Sequence, residues 1–116
     1  MKHYLCVFTG TPDAMAAWQT LSEDERKRRE GAGMAAWKHW AETHARDIVQ
    51  TGGPLSKTKR VSKDGISDIR NNLAAFVVVQ AESQEGAARM FIDHPHFTLF
   101  PGDGVEVMEV LPVPGM

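Results

Sequence analysis

The run LAAFVVVQ, from Leu73 to Gln80, is apolar on both of its faces. A strand of that kind is stable only where both faces are covered, so it belongs in the middle of a sheet and not at its edge. HYLCVFT, from His3 to Thr9, is a second such run, rich in aromatic and β-branched residues and closed by Gly10. A chain with two central strands must supply edge strands beside them and helices to cover them.

The helices are announced by their ends. Thr11-Pro12 is a hydroxyl N-cap followed by proline at the first helical position, and predicts a short helical piece over Asp13 to Thr20. Ser22 followed by Glu25 is a capping box that restarts the pattern. The helical pattern then extends to about Gln50, across Gly31 and Gly33. An unbroken helix of that length would span about 42 Å, so a break or kink is expected at the glycines. Its second part carries the clearest periodicity: Met34, Trp37, Trp40, Ala41, His44 and Ile48 form one apolar stripe, with Lys38, His39, Glu42 and Arg46 opposite. Gly52-Gly53-Pro54 is expected to stop it.

LSKTKRVS, Leu55 to Ser62, reads as a second strand whose lysines suit a sheet edge, where they discourage pairing with another chain. KDGISDIRNN reads as a loop, with Asp64-Gly65 and Asn71-Asn72 as its turn residues. Ser83 caps a second helix from Gln84 to about Asp93, and Pro95 prevents its continuation. GVEVMEVL, Gly104 to Leu111, is the last strand.

The order is βαββαβ without repeat or linker, so residues 1–116 are expected to form one domain. The simplest packing is an α+β, ferredoxin-like fold: a four-stranded antiparallel sheet in order 4-1-3-2 with the helices on one face. The other face is then larger and more apolar than a monomer normally exposes. A homodimer about a two-fold axis is the expected cover.

Composition excludes several classes. Thirteen basic against fifteen acidic residues, a formal charge of −2, argue against a nucleic-acid partner. The dense run SEDERKRRE mixes both signs at helical spacing, as a solvated helix face does. No apolar stretch approaches the roughly 20 residues needed to span a bilayer, and the N-terminal run breaks too soon for a signal peptide, so a cytoplasmic protein is expected. The single Cys6 cannot form an internal disulfide and lies in an apolar strand, as a small buried hydrophobe would.

AAWKHWAE, GGPLSKTKRVSKDG, FVVVQAES, HPHF and GVEVMEVLP, in this order and spacing over roughly residues 34–112, resemble the YCII-related or DGPF-domain family. That family belongs to the dimeric α/β-barrel superfamily, which implies the same ferredoxin-like protomer. The superfamily includes small-molecule oxygenases, isomerases, dehalogenases and non-catalytic binders, and the wider group resembles acid/base enzymes built on a His–Asp pair. Asp64-Gly65 stands where the group has its loop Asp-Gly, and Pro95-His96 where it has its Pro-His.

The pentad Asp93-His94-Pro95-His96-Phe97 is the densest cluster of chemistry-bearing residues. A carboxylate beside an imidazole fixes its tautomer and raises its pKa, which a general base needs. His96, assisted by Asp93, is therefore the candidate catalytic pair. Two alternatives stand beside it: imidazoles capping a helix C-terminus, and a His-X-His metal pair that lacks an obvious third ligand. His94, His44, Trp37 and Trp40 are candidates for substrate binding, although a histidine and two tryptophans on an apolar stripe are also ordinary core residues. Glu106 and Glu109 must point to opposite faces of the last strand, and the inward one is expected to pair with Lys57, Lys59 or Arg60. No phosphate loop, nucleophile elbow or zinc-type cysteine pair is present, and neither metal nor cofactor is expected. Two functions remain open: a small cofactor-free acid/base enzyme of lyase, isomerase or dehalogenase type, or a non-catalytic dimeric module that binds a small organic ligand.

Overall fold

The computed structural model describes residues 1–115. In chain order the elements are β1 (Lys2–Gly10), α1 (Pro12–Gln19), α2 (Glu23–Thr43), β2 (Ile48–Pro54), β3 (Thr58–Ser62), β4 (Gly65–Ile69), β5 (Leu73–Ala81), α3 (Gln84–Arg89), α4 (Pro95–Thr98) and β6 (Gly102–Glu109). Strands β2, β5, β1 and β6 form a four-stranded sheet in that order, with every neighbouring pair antiparallel. This is the expected 4-1-3-2 arrangement of an α+β, ferredoxin-like fold, with the two most apolar strands at its centre.

The alternation along β1 and β5 sets the core. Tyr4, Cys6 and Phe8 pair across with Val79, Val77 and Ala75, and all six are buried on the helix side. Trp37 and Trp40 of α2, together with Ala87 and Phe91, close over them. Burial pushes the Cys6 thiol up to about 12, so it behaves as the inert hydrophobe expected. The caps are also as expected: Thr11 Oγ1 accepts from the Ala14 amide at 3.0 Å, Ser22 Oγ from Glu25 at 3.1 Å, and Ser83 Oγ from Gly86 at 3.0 Å. The charge run is a solvated helix face, its ions paired one turn apart as Lys27–Glu23, Arg28–Glu25 and Arg29–Glu25.

Four expectations are corrected. The second strand is Ile48–Pro54, not Leu55–Ser62: the helix ends at Thr43, and Ile48 packs on the core from a strand. Pairing with β5 overrides the helical period there. The Gly52-Gly53 pair, expected as a helix stop, lies instead where β2 shifts register, with Gly52 at φ 60°. The lysine-bearing run is no edge of the main sheet, because Thr58–Ser62 pairs with Gly65–Ile69 in a separate hairpin. Lys63-Asp64 is thus the two-residue turn of a hairpin, with Gly65 opening β4 at φ 110°, rather than part of a loop, and Lys59 pairs with Asp68 at 2.6 Å. Glu109 pairs with Lys2 at 3.8 Å, while Glu106 stands opposite Val7 on the open face; neither meets Lys57, Lys59 or Arg60. No helix among the described residues is long and apolar enough to cross a membrane.

The fourth correction concerns the glycines. Helix α2 runs through both without a break. Gly31 faces open space, whereas a methyl at Gly33 would fall 2.5 Å from the Phe100 ring. Gly33 is therefore a contact site between helix and ring, and Met34 beside it is largely exposed, outside the packed part of the stripe. Gly31→Ala should stabilise the protein by about 0.5–1 kcal/mol, by restricting the unfolded chain. Gly33→Ala should cost about 1 kcal/mol or more through overpacking. Urea melts of both variants check this; equal shifts would mean that the helix does not press on Phe100.

Candidate active site

Beyond α3 the chain turns through Asp93, which adopts φ 56°, and restarts at once as α4. His94 is the N-cap of that short helix: its Nδ1 accepts from the His96 amide at 3.0 Å. A neutral imidazole that accepts at Nδ1 carries its hydrogen on Nε2. His94 is 1% exposed, and its Nε2 has no hydrogen-bond partner. Its neighbours are rings: Trp37 and Trp40 approach steeply with centroids at 4.6 and 4.7 Å, and Phe8 and Phe91 complete the cage. The capping role is real, but it serves the start of the next helix and not the end of the preceding one.

His96 is also buried, its ring centroid 5.1 Å from that of Phe8 and 6.2 Å from that of Trp37. Its Nε2 bonds the carbonyl oxygen of Thr9 at 2.6 Å. A carbonyl only accepts, so Nε2 carries the hydrogen and Nδ1 keeps its lone pair. Among the described residues His94 Nε2 is the one sealed side-chain polar atom without a partner. The unpaired Nδ1 of His96 therefore reaches accessible space, and the ring borders two clefts. Gly102 makes this placement possible, because any Cβ there would overlap the His96 ring.

The first cleft, about 460 Å³, lies between α2 and the β2–β5 end of the sheet. Phe8, Trp37, Trp40 and Phe100 supply aromatic walls, and His96 is the one titratable side chain that lines it. The indole N–H of Trp40 is spent on the Met90 carbonyl at 2.7 Å, so Trp40 serves as a wall. Burial lowers the pKa of His96, opposed by its bond to Thr9 and by the charge of Asp103. The imidazolium expected from a neighbouring carboxylate and a helix terminus is thus overruled by desolvation. A neutral imidazole with a fixed N–H and a free lone pair can take up a proton.

The structure brings together His96, Trp37 and Trp40 at this cleft. It does not bring Asp93 there: that side chain is exposed and makes no hydrogen bond or ion pair among the described residues. The carboxylate acting on His96 is Asp103, which accepts from the Thr9 hydroxyl at 2.7 Å. It lies ten positions from the pentad's start, and only the pairing of β6 with β1 makes them neighbours. His44 is the C-cap of α2 and packs on Trp40 with ring centroids 5.1 Å apart, away from the cleft wall. No group of three metal-ligating side chains occurs among the described residues.

No protein-family model and no curated protein sequence matches the chain. Among solved structures it is similar to the 5-chloro-2-hydroxyhydroquinone dehydrochlorinase of Burkholderia phenoliruptrix, in complex with 2,5-dihydroxybenzoquinone. The TM-score is 0.51 and the identity 17%, over 91% of this chain and 90% of that one. The similarity is one of fold. It supports the resemblance to the YCII-related family at that level.

His94 makes a stability prediction. Burial holds its pKa down at about 4, against 6.5 for the ordinary group, with the charges of His96 and His44 adding to the effect. The unfolded chain then binds the proton more tightly. Stability from His94 is full above the unfolded value and is lost as pH falls toward the folded one, by about 3 kcal/mol in all. His94→Asn keeps a capping acceptor but cannot titrate. In urea melts from about pH 7 to about pH 4, the variant should be weaker at neutral pH yet lose clearly less stability on acidification; an unchanged slope would refute the assignment.

Proposed function

We propose that this chain is an acid/base enzyme of the lyase, isomerase or dehalogenase type, acting on a small organic molecule, with His96 as the proton carrier. The observation that carries the reading is a desolvated imidazole in the wall of an aromatic cleft, with its Nε2–H fixed on the Thr9 carbonyl and its Nδ1 without a hydrogen-bond partner. His96 accepts a proton from the bound molecule at Nδ1 while its Nε2–H stays on the Thr9 carbonyl. The electron pair of the broken C–H or O–H bond forms a new double bond while a leaving group departs with its own bonding pair, or while an existing double bond shifts and His96 returns the proton at its far end. The imidazolium is stabilised by the Thr9 carbonyl and by Asp103, which takes the part expected of Asp93. The fold likeness to a dehydrochlorinase of a chlorinated hydroquinone supports this reaction type. The second reading, a non-catalytic binding module, is favoured by the lack of a second titratable side chain in the wall of the first cleft.

Activity on chlorinated hydroquinones and phenols, read as halide release, is the first assay. His96→Gln should lower the rate by about 10²–10⁴-fold. The rate should be flat above the pKa of His96, which lies below that of an ordinary histidine, and should fall as the pH drops through it. If no substrate of the panel turns over, while the same molecules shift His96 resonances in NMR, the binding-module reading replaces the enzyme.

The protomer is also proposed to act as a homodimer. Leu5, Val7, Phe76 and Val78 sit half-buried on the sheet face without helices, beside the exposed Met108. The β3–β4 hairpin carries Val61 and Ile66, 75% and 71% exposed, as a facing pair. A two-stranded hairpin is marginal by itself. The radius of gyration is 16.1 Å, against about 13 Å for a compact chain of this length. Sedimentation equilibrium over micromolar concentrations should give twice the monomer mass; a single monomeric species would end the dimer.

A further inference from the structure

His96 also borders a second cleft, about 570 Å³, bounded by the end of β1, the start of α1 and the segment from Arg70 to Ala74. Phe100 and Ala74 also border both clefts. Their chemistry differs. Arg70, Asn71 and Asn72 line the second cleft and, among the described residues, no carboxylate does, whereas no cation lines the first.

The cation is free and its backbone is not. Among the described residues the ion pairs engage Lys2, Lys27, Arg28, Arg29, Lys59 and Arg89, and leave Arg70 unpaired. The Gly10 amide donates to the Asn72 carbonyl at 3.0 Å, and the Leu73 amide to Asn71 Oδ1 at 3.0 Å. Asn71 Nδ2 donates to Thr58 Oγ1, also at 3.0 Å. Asn71 is thus consumed in fixing the segment. The chain that carries Arg70 is tied to β1 one residue from Thr9, whose carbonyl holds His96.

We propose that the second cleft is the subsite for a carboxylate carried by a ligand whose apolar ring lies in the first, with Arg70 as its charge partner. The inference rests on reading the first cleft as a small-molecule site, and it narrows the substrate class to aromatic acids. A guanidinium matches a carboxylate with two parallel hydrogen bonds, which a neutral isostere cannot reproduce. A carboxylate beside His96 would also favour the imidazolium that forms when the base takes up its proton.

Calorimetric titration with 1-naphthoate and 1-naphthamide separates charge from shape, since the two share one ring system. The wild-type protein should bind naphthoate about tenfold more tightly, and added salt should shrink that preference. Arg70→Gln should abolish the preference and leave naphthamide affinity unchanged, while Arg70→Lys should keep part of it. Equal weakening of both probes by Arg70→Gln, a preference that survives it, or no binding of either probe to the wild type would overturn the subsite. His96→Gln separates this from the catalytic reading. A charge preference that persists in that variant, in a protein without turnover, sinks the enzyme and keeps the subsite. Turnover without charge preference does the reverse.

Discussion

The rest of the site depends on one buried hydrogen bond, from the His96 amide to Nδ1 of His94. It fixes the tautomer of His94, starts α4, and sets the direction in which the His96 ring leaves the backbone. The ring that accepts this bond is held by every layer of the fold: Phe8 from the sheet, Trp37 and Trp40 from α2, and Phe91 from beyond α3. An unpaired polar atom in such a place costs about 1–3 kcal/mol. The cage therefore sacrifices stability to hold a histidine where a phenylalanine would pack, and an aliphatic or aromatic side chain could not cap α4. The cap explains the histidine, and the histidine explains the aromatic cage.

The two imidazoles of the pentad divide the work through their lone pairs. Both lose water and both are pushed toward the neutral form. His94 spends its lone pair on the backbone and has none left for chemistry. His96 spends its N–H instead, on the Thr9 carbonyl, and keeps its lone pair unengaged. The same desolvation thus leaves one ring a structural pin and the other a neutral imidazole with a lone pair to spare. Sequence position alone cannot tell them apart, since they are two residues from each other.

What could be read from the sequence follows from the range of the interactions involved. The central strands were legible because burial on both faces is written in consecutive residues, as in Phe76 to Val79. Caps at Thr11, Ser22 and Ser83 were legible because a cap acts within one helical turn. Two placements have a common cause: Ile48 continues a helical stripe by spacing, yet joins β2 because β5 offers it a partner, and Asp103 comes near His96 only because β6 lies beside β1. Both are decided by pairing between distant segments, which local periodicity does not record. The hairpin is a different case. Its Lys63-Asp64 turn and the glycine after it are local signals, but the lysines beside them suit a sheet edge equally well.

The first cleft exists because rings face small residues. Interiors normally close to crystal-like density, and a void survives only where its walls cannot collapse. Phe8, Trp37 and Phe100 are stiff, and Phe100 is pressed against the bare backbone of Gly33. Ala41, Gly53, Ala74 and Ala75 share the lining and lack the side chains to fill the space. Strand β5 changes character within its own length: its buried positions run from Ala75 to Val77 and Val79, so the small end leaves room and the branched end packs. His96 stands at the small end. A strand apolar on both faces thus does more than build a core; its choice of alanine over valine at one end keeps the cleft beside His96 open.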